Sequence, residues 1–173
     1  MTSIRIRKGY DINIAGTPSC DVKKLEKPTR VALLPERIPF IKPRLKVKVD
    51  DQVNVGSTVF EDKRNPDFIF LSPGGGRISK IDYGPRRIIK EIVITLDQDE
   101  GYKTFPMMND AQLEDIERGA LVQMLTTGGL WPLFRELPFR NIPNPQSFPP
   151  SIIISLGSRE PFQPLPEVYL KDK

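Results

Sequence analysis

Histidine is absent from this 173-residue chain, and cysteine occurs once, as Cys20. A Ser-His triad, a Cys-His dyad and a zinc site are therefore excluded within the chain. A single cysteine also excludes an internal disulfide, so a reducing compartment is the expected one. These absences remove the commonest catalytic and metal-binding constellations.

Long apolar runs are also missing, and no stretch reaches the length that a membrane-spanning helix needs. The first residues, MTSIRIRKGYDI, carry charge too early and too often for a signal peptide. We therefore expect a protein that is soluble or peripheral to a membrane.

The charge balance is mildly basic, with 26 lysines and arginines, 22 acidic residues and a formal net charge of +4. Basic residues alternate with others in Lys42–Lys48, which is typical of a solvated strand face. Neither an RNP-type aromatic pattern nor a helix-turn-helix signal accompanies them, so we predict no nucleic-acid partner. A charge-driven module that binds an anionic surface stays open as an alternative.

Residues 1–101 have the pattern of an all-β domain. Charged and apolar residues alternate in Arg44–Val55 (RLKVKVDDQVNV), which predicts strands with one buried face. Gly74–Gly76 lie between two predicted strands, so a tight β corner is favoured over a phosphate-binding loop. The predicted extended segments are Ser3–Lys8, Asp11–Ala15, Val31–Leu34 (a buried strand), Arg44–Val49, Thr58–Glu61, Phe68–Ser72, Arg77–Asp82 and Arg87–Leu96.

Carboxylates recur in adjacent positions, as in Asp50-Asp51 and Glu61-Asp62. They fall in predicted turns or on a polar helix face, and none matches the spacing of a calcium loop. We therefore expect these side chains to be solvated.

Residues 102–141 change character and read as a helical connector. Asn109 and Gln112 have the spacing of a capping box, and Gly128-Gly129 fits a C-terminal cap. A second short helix is predicted at Leu130–Leu137. The apolar face of the first helix is expected to comprise Leu113, Ile116, Ala120 and Met124.

Residues 142–150 form a proline-rich linker, and residues 151–173 read as the start of an α/β, Rossmann-like domain. The continuous apolar run Ser151–Leu156 predicts a strand buried on both faces of an open sheet. One such strand cannot bury itself, so we expect the polypeptide to be truncated relative to its parent.

Several segments carry a family resemblance, in the family's order: KGYDINIAGTP, FEDKRNP and GLWPLFRELPF. With them, the chain resembles the N-terminal part of the NqrA family, the A subunits of the Na⁺-translocating NADH:quinone reductase (Na⁺-NQR), which is related to the C subunit of the Rnf complex. The strand–turn–strand pattern with its glycine corner resembles a biotinyl/lipoyl-type barrel-sandwich hybrid. The resulting fold class is α+β, mostly β, with that domain at residues 1–101.

The resemblance implies a cofactor-free, peripheral subunit on the cytoplasmic side of the bacterial inner membrane. In that family, NADH oxidation and ubiquinone reduction drive sodium transport, and FMN, FAD, riboflavin and a 2Fe-2S centre belong to other subunits. The implied partners are those subunits, especially the membrane-embedded B subunit, and ubiquinone is a candidate ligand. No residue of this chain is expected to be catalytic, to hold a cofactor or to bind a metal.

The candidate contact residues for a partner or a quinone are Trp131, Phe134, Arg135, Phe139 and Arg140. The first two share a helical face, and Arg135 supplies a hydrogen-bond donor. Packing on the β domain is the alternative interpretation of these aromatic residues.

Lys63, in FEDKRNP, gives a second functional alternative. Carrier domains of the biotinyl/lipoyl type place a modified lysine at a hairpin tip, although the unequal flanks of Lys63 argue against that role.

Overall fold

The computed structural model describes residues 14–19, 21–154, 163–164, 168 and 170. The chain divides into two compact units, one formed by Met1–Glu26 with Pro149–Lys173 and the other by Lys27–Phe148. The predicted strand Ser3–Lys8 lies outside the described residues.

In the described part of the second unit, seven strands form two antiparallel sheets. They are β1 (Arg30–Leu33), β2 (Pro43–Leu45), β3 (Gln52–Val53), β4 (Thr58–Asp62), β5 (Asn65–Leu71), β6 (Gly76–Tyr83) and β7 (Ile89–Leu96). The spatial order is β1-β7-β6-β3 in the first sheet and β2-β4-β5 in the second. This curled, two-sheet arrangement confirms the predicted barrel-sandwich fold class.

The hydrophobic core joins side chains from both sheets. Phe60 of β4 stacks on Phe70 of β5 with ring centroids 4.5 Å apart. From the other sheet, Ile78 of β6 lies opposite Ile94 of β7 in the strand register, and both are fully buried. The buried cluster comprises Val53, Val59, Phe60, Ile78, Ile89, Ile92 and Ile94.

The first predicted strand differs from expectation. It spans Arg30–Leu33, and its residues alternate between exposed and half-buried, so the prediction of a buried strand was wrong. The physical reason is its position: it pairs with β7 alone among the described strands, and only Val31 and Leu33 reach the core. The predicted strand at Arg44–Val49 is also shorter, ending at Leu45.

The glycine corner is confirmed as a close approach between backbones. Gly74–Gly76 are buried where the chain passes from β5 into β6, which begins at Gly76. A Cβ atom built on Gly76 would lie 2.0 Å from the carbonyl oxygen of Thr95 in β7, and one on Gly74 would lie 2.3 Å from Leu96. A side chain at Gly76 would force β6 away from β7, whereas one at Gly74 would require the Leu96 side chain to move.

The capping box is confirmed at the start of α1 (Asp110–Glu114). The Asn109 side chain accepts from the Gln112 backbone N–H at 2.9 Å, and the Gln112 side chain accepts from the Asn109 N–H at 3.0 Å. α2 (Arg118–Thr127) ends at Gly128, as expected.

The apolar face predicted for one continuous helix was wrong in part, because the helix is interrupted between α1, which ends at Glu114, and α2, which begins at Arg118. Residues after the break no longer follow the angular spacing set before it. Leu113 and Ala120 are consequently exposed, whereas Leu121 and Leu125 are half-buried.

The second predicted helix, Leu130–Leu137, was wrong. A single 3-10 turn covers Trp131–Leu133, and Phe134 is already extended. Pro138 disfavours helical backbone at Leu137, but the extended backbone at Phe134 ends the turn before that restriction applies.

The predicted buried strand at Ser151–Leu156 was wrong over its described residues. Residues 151–154 form no strand, and all four are exposed. A strand buried on both faces needs neighbours on either side. No strand of the described residues pairs with this segment.

Candidate functional site

The five candidate contact residues fall within one segment, residues 130–141, which we call the aromatic loop. Its base is anchored by Trp131, which is 9% exposed and whose indole Nε1–H donates to the Pro143 carbonyl at 2.9 Å. Pro132 beside it is buried. A buried indole with a satisfied N–H fixes the position of the loop.

The loop begins where α2 meets β5. The Leu130 N–H donates to the Leu125 carbonyl at 2.9 Å. Gly129 has a φ of +67°, and a Cβ atom there would lie 2.7 Å from Leu71 of β5. Only glycine satisfies both conditions, so this residue lets the loop pack closely on the sheet.

The far end of the loop is closed by hydrogen bonds of its own. The Glu136 N–H donates to the Asn141 carbonyl at 2.8 Å, and the Arg140 N–H donates to the Glu136 carbonyl at 2.8 Å. Residues 137–140 form the tip between these two bonded positions. The tip is therefore held in one shape by its backbone.

The loop presents apolar side chains to solvent. Leu133 is 72% exposed, Leu137 is 64% exposed and Phe139 is 74% exposed. Three exposed apolar side chains within one short loop are candidates for an interaction site.

Two arginines accompany the apolar side chains. The Arg135 guanidinium donates back to the loop, to the carbonyls of Pro132 and Phe134, the second at 2.8 Å. Arg140 is exposed and has a φ of +61°. The loop thus combines an apolar surface with positive charge at its rim, an arrangement common in protein interfaces.

The structure brings two of the five candidates into direct contact. The rings of Trp131 and Phe134 lie 5.2 Å apart between centroids and are tilted by 48°. Phe134 is 40% exposed, so one ring of the pair reaches solvent. Phe139 lies on the tip instead.

A buried ionic cluster in β4 escaped the sequence reasoning. Glu61 and Asp62 are each 4% exposed, so the expectation that this pair is solvated was wrong. Glu61 forms ion pairs with Arg44 and with Lys46, the latter at 2.8 Å. The missed signal was the pair of cations two residues apart: Arg44 lies opposite Glu61 in the register of β2 and β4, and Lys46 follows directly after β2.

The electrostatic environment keeps two carboxylates ionised. Hydrogen bonds from Lys46 and then Arg44 hold the pKa of Glu61 below its usual value. A hydrogen bond from Lys27, followed by one from the Gly75 N–H, lowers the pKa of Glu100 in the same way. Groups held in the charged form by fixed partners stabilise structure and are poorly suited to proton transfer at neutral pH.

Lys63 lies at the tip of the β4–β5 hairpin, as expected. Lys63 and Arg64 form its two-residue turn, and the Lys63 N–H donates to the Lys42 carbonyl at 2.7 Å. The Lys63 side chain is exposed, whereas Arg64 donates to the Phe40 carbonyl.

The described helices are too short and too polar to cross a bilayer.

Two family models match the chain. The NqrA N-terminal barrel-sandwich hybrid domain matches residues 4–97, and the NqrA second alpha/beta domain matches residues 116–173. The first model alone accounts for more than half of the chain.

Similar curated proteins are named as the A subunit of the Na(+)-translocating NADH-quinone reductase. The protein of Actinobacillus pleuropneumoniae serotype 5b is 36% identical over 169 residues, covering 98% of this chain and 37% of that protein. Those of Histophilus somni and Vibrio anguillarum are each 33% identical, with 98% of this chain and 38% of the relative covered. The chain therefore spans less than two fifths of the length of these relatives.

Proposed function

The chain belongs to the NqrA family, and we propose that it is a peripheral component of a Na⁺-translocating NADH:quinone reductase that assembles on the membrane subunits, the B subunit above all, through the aromatic loop. The observation that carries this proposal is the exposure of Leu133, Leu137 and Phe139 on a loop whose base is buried. Its relatives are named as subunits of such a reductase.

The geometry of the loop supports a role in assembly. An interface gains most from rigid apolar side chains that need no reordering on binding. The Trp131 hydrogen bond and the backbone bonds at Glu136 and Asn141 supply that rigidity.

In this proposal the chain contributes structure and no reacting group. It takes its place on the cytoplasmic side of the membrane, and the flavins and the iron–sulfur centre belong to its partners. The ion pairs that hold Glu61 and Glu100 charged support a structural role for these two carboxylates.

Co-purification with the membrane subunits tests the proposal. The affinity-tagged chain is co-expressed with the other reductase subunits, and recovery of the B subunit is measured for a Leu137→Ser/Phe139→Ser variant. Because both side chains are more than half exposed, the variant should fold normally. We expect recovery to fall about tenfold or more, since each lost apolar anchor weakens the interface.

A matched control separates this surface from general stickiness. Leu25→Ser removes an apolar side chain that is 86% exposed in the other unit. It should leave recovery of the B subunit unchanged. Equal recovery by the loop variant and the unaltered chain, with both folded by circular dichroism, would refute docking through the aromatic loop.

Ubiquinone binding is the second candidate function. It is favoured by the Phe134 ring, which is 40% exposed and held against Trp131, because an aromatic face can stack on a quinone ring. A photoreactive ubiquinone analogue should label residues 130–141, and excess ubiquinone should suppress the labelling. Labelling confined to other residues would reject this candidate.

A further inference from the structure

A groove of about 390 Å³ lies between the β1–β2 connection and the β6–β7 turn. Apolar side chains form part of its lining, contributed by Ile38, Ile41, Ile88 and Ile89. The volume falls within the range of small-molecule sites. None of these residues belongs to the aromatic loop.

Charged residues form the rest of the lining. Lys42, Arg86 and Arg87 contribute three positive charges and Glu36 one negative charge, so the groove carries a net charge of +2. Among the described residues, no carboxylate lies within 4.0 Å of the charged nitrogens of these three cations. By contrast, the cations beside Glu61 are paired.

The backbone at the two arginines is strained. Arg86 has a φ of +56° and Arg87 a φ of +58°, in the left-handed region that favours glycine or asparagine. Hydrogen bonds from the Arg87 N–H to Gly84 and from the Gly84 N–H to Ile88 hold the turn. A turn of this shape would form at lower cost with other residues, so its geometry does not explain why arginine occupies both positions.

We propose that this groove binds a phosphate monoester that carries a short aliphatic chain. A phosphate monoester has a charge between about −1.5 and −2 at neutral pH, which matches the net +2 of the lining. Arginine guanidinium groups bind phosphate oxygens with paired hydrogen bonds. The isoleucines then cover the aliphatic chain.

Titration calorimetry with octyl phosphate, below the concentration at which it forms micelles, tests the proposal on the whole chain. One site should saturate, and inorganic phosphate should bind more weakly because it lacks the apolar part. The Arg86→Asn/Arg87→Asn variant removes both charges with a residue that tolerates left-handed backbone. It should weaken octyl phosphate binding about tenfold or more.

Two further variants separate charge and apolar contributions. Lys23→Asn/Lys24→Asn removes the same charge from exposed positions of the other unit and should leave the affinity within about twofold. Ile88→Ser, at a side chain that is 47% exposed, should weaken octyl phosphate by a few fold and leave inorganic phosphate binding unchanged.

The phosphate could come from a soluble metabolite or from a lipid, and vesicles distinguish the two. If a lipid is the source, phosphatidylcholine vesicles that contain phosphatidic acid should bind the unaltered chain and should not bind the Arg86→Asn/Arg87→Asn variant. If the chain binds octyl phosphate but not these vesicles, the ligand is soluble. The proposal is overturned if octyl phosphate does not bind. It is also overturned if both double variants weaken binding equally, or if octyltrimethylammonium binds as well.

Discussion

Two acidic residues of β4 are buried, whereas three consecutive isoleucines at residues 152–154 are exposed. Glu61 and Asp62 in β4 are each 4% exposed. In the other unit, Ile152, Ile153 and Ile154 are 72%, 77% and 84% exposed. Hydrophobicity alone would predict the reverse order.

The difference lies in what surrounds each segment. β4 pairs with β2 on one side and β5 on the other, and the charge of Glu61 is compensated by Arg44 and Lys46. The isoleucines pair with no strand of the described residues. A buried position is therefore created by neighbouring elements, and a side chain occupies it at low cost when those elements satisfy its chemistry.

The largest expected effect comes from emptying the interior around β4. Phe60→Ala removes a fully buried ring that stacks on Phe70, so we expect the free energy of unfolding to fall by about 3–5 kcal/mol. Urea unfolding followed by circular dichroism measures the change. Phe139→Ala, at a ring that is 74% exposed, is the matched control and should cost far less. Similar losses in both variants would contradict this account of the core.

A smaller effect should appear in the acid stability of the buried ionic cluster. Because partners lower the pKa of Glu61 in the folded state, its stabilisation is present above the unfolded pKa, close to 4.5, and is lost as the pH falls through the lower folded value. Glu61→Gln should therefore lower stability near neutral pH and flatten the decline in stability below about pH 5. Urea midpoints measured across this range test the expectation. An unchanged slope would show that the carboxylate is not stabilised by its cations.

The smallest effect is expected at the exposed isoleucines. Ile153→Ser should change the free energy of unfolding by no more than about 0.5 kcal/mol, since its side chain is mostly in water. Ile94→Ser, at a fully buried position of β7, provides the contrast and should be strongly destabilising. A loss above about 1 kcal/mol in Ile153→Ser would mean that this segment is packed after all.

Much of the fold could be predicted because it depends on local chemistry. The alternating segments, the glycine corner and the Asn109 capping box each follow from residues close together in the sequence. The predicted helix at Leu130–Leu137 failed because the local apolar spacing continues past Phe134, where the backbone is already extended.

The sites were harder to predict because they combine distant residues. Four of the five contact candidates are exposed on one loop, but the burial of Trp131 depends on the carbonyl of Pro143 and on packing against α2 and β5. The groove proposed to bind a phosphate monoester joins Lys42 to Arg86, which are separated in the chain by five strands, β2 to β6. The register between strands decides which distant residues come into contact, and a single sequence specifies that register weakly.

The enclosure of Trp131 has an optical consequence. It is the chain's single tryptophan, so light absorbed beyond the tyrosine band excites one fluorophore. That indole is buried at the base of the aromatic loop. The wavelength of its emission maximum therefore reports whether the indole is shielded from water or exposed to it. The fluorescence of the protein thus follows the state of this segment without an added dye.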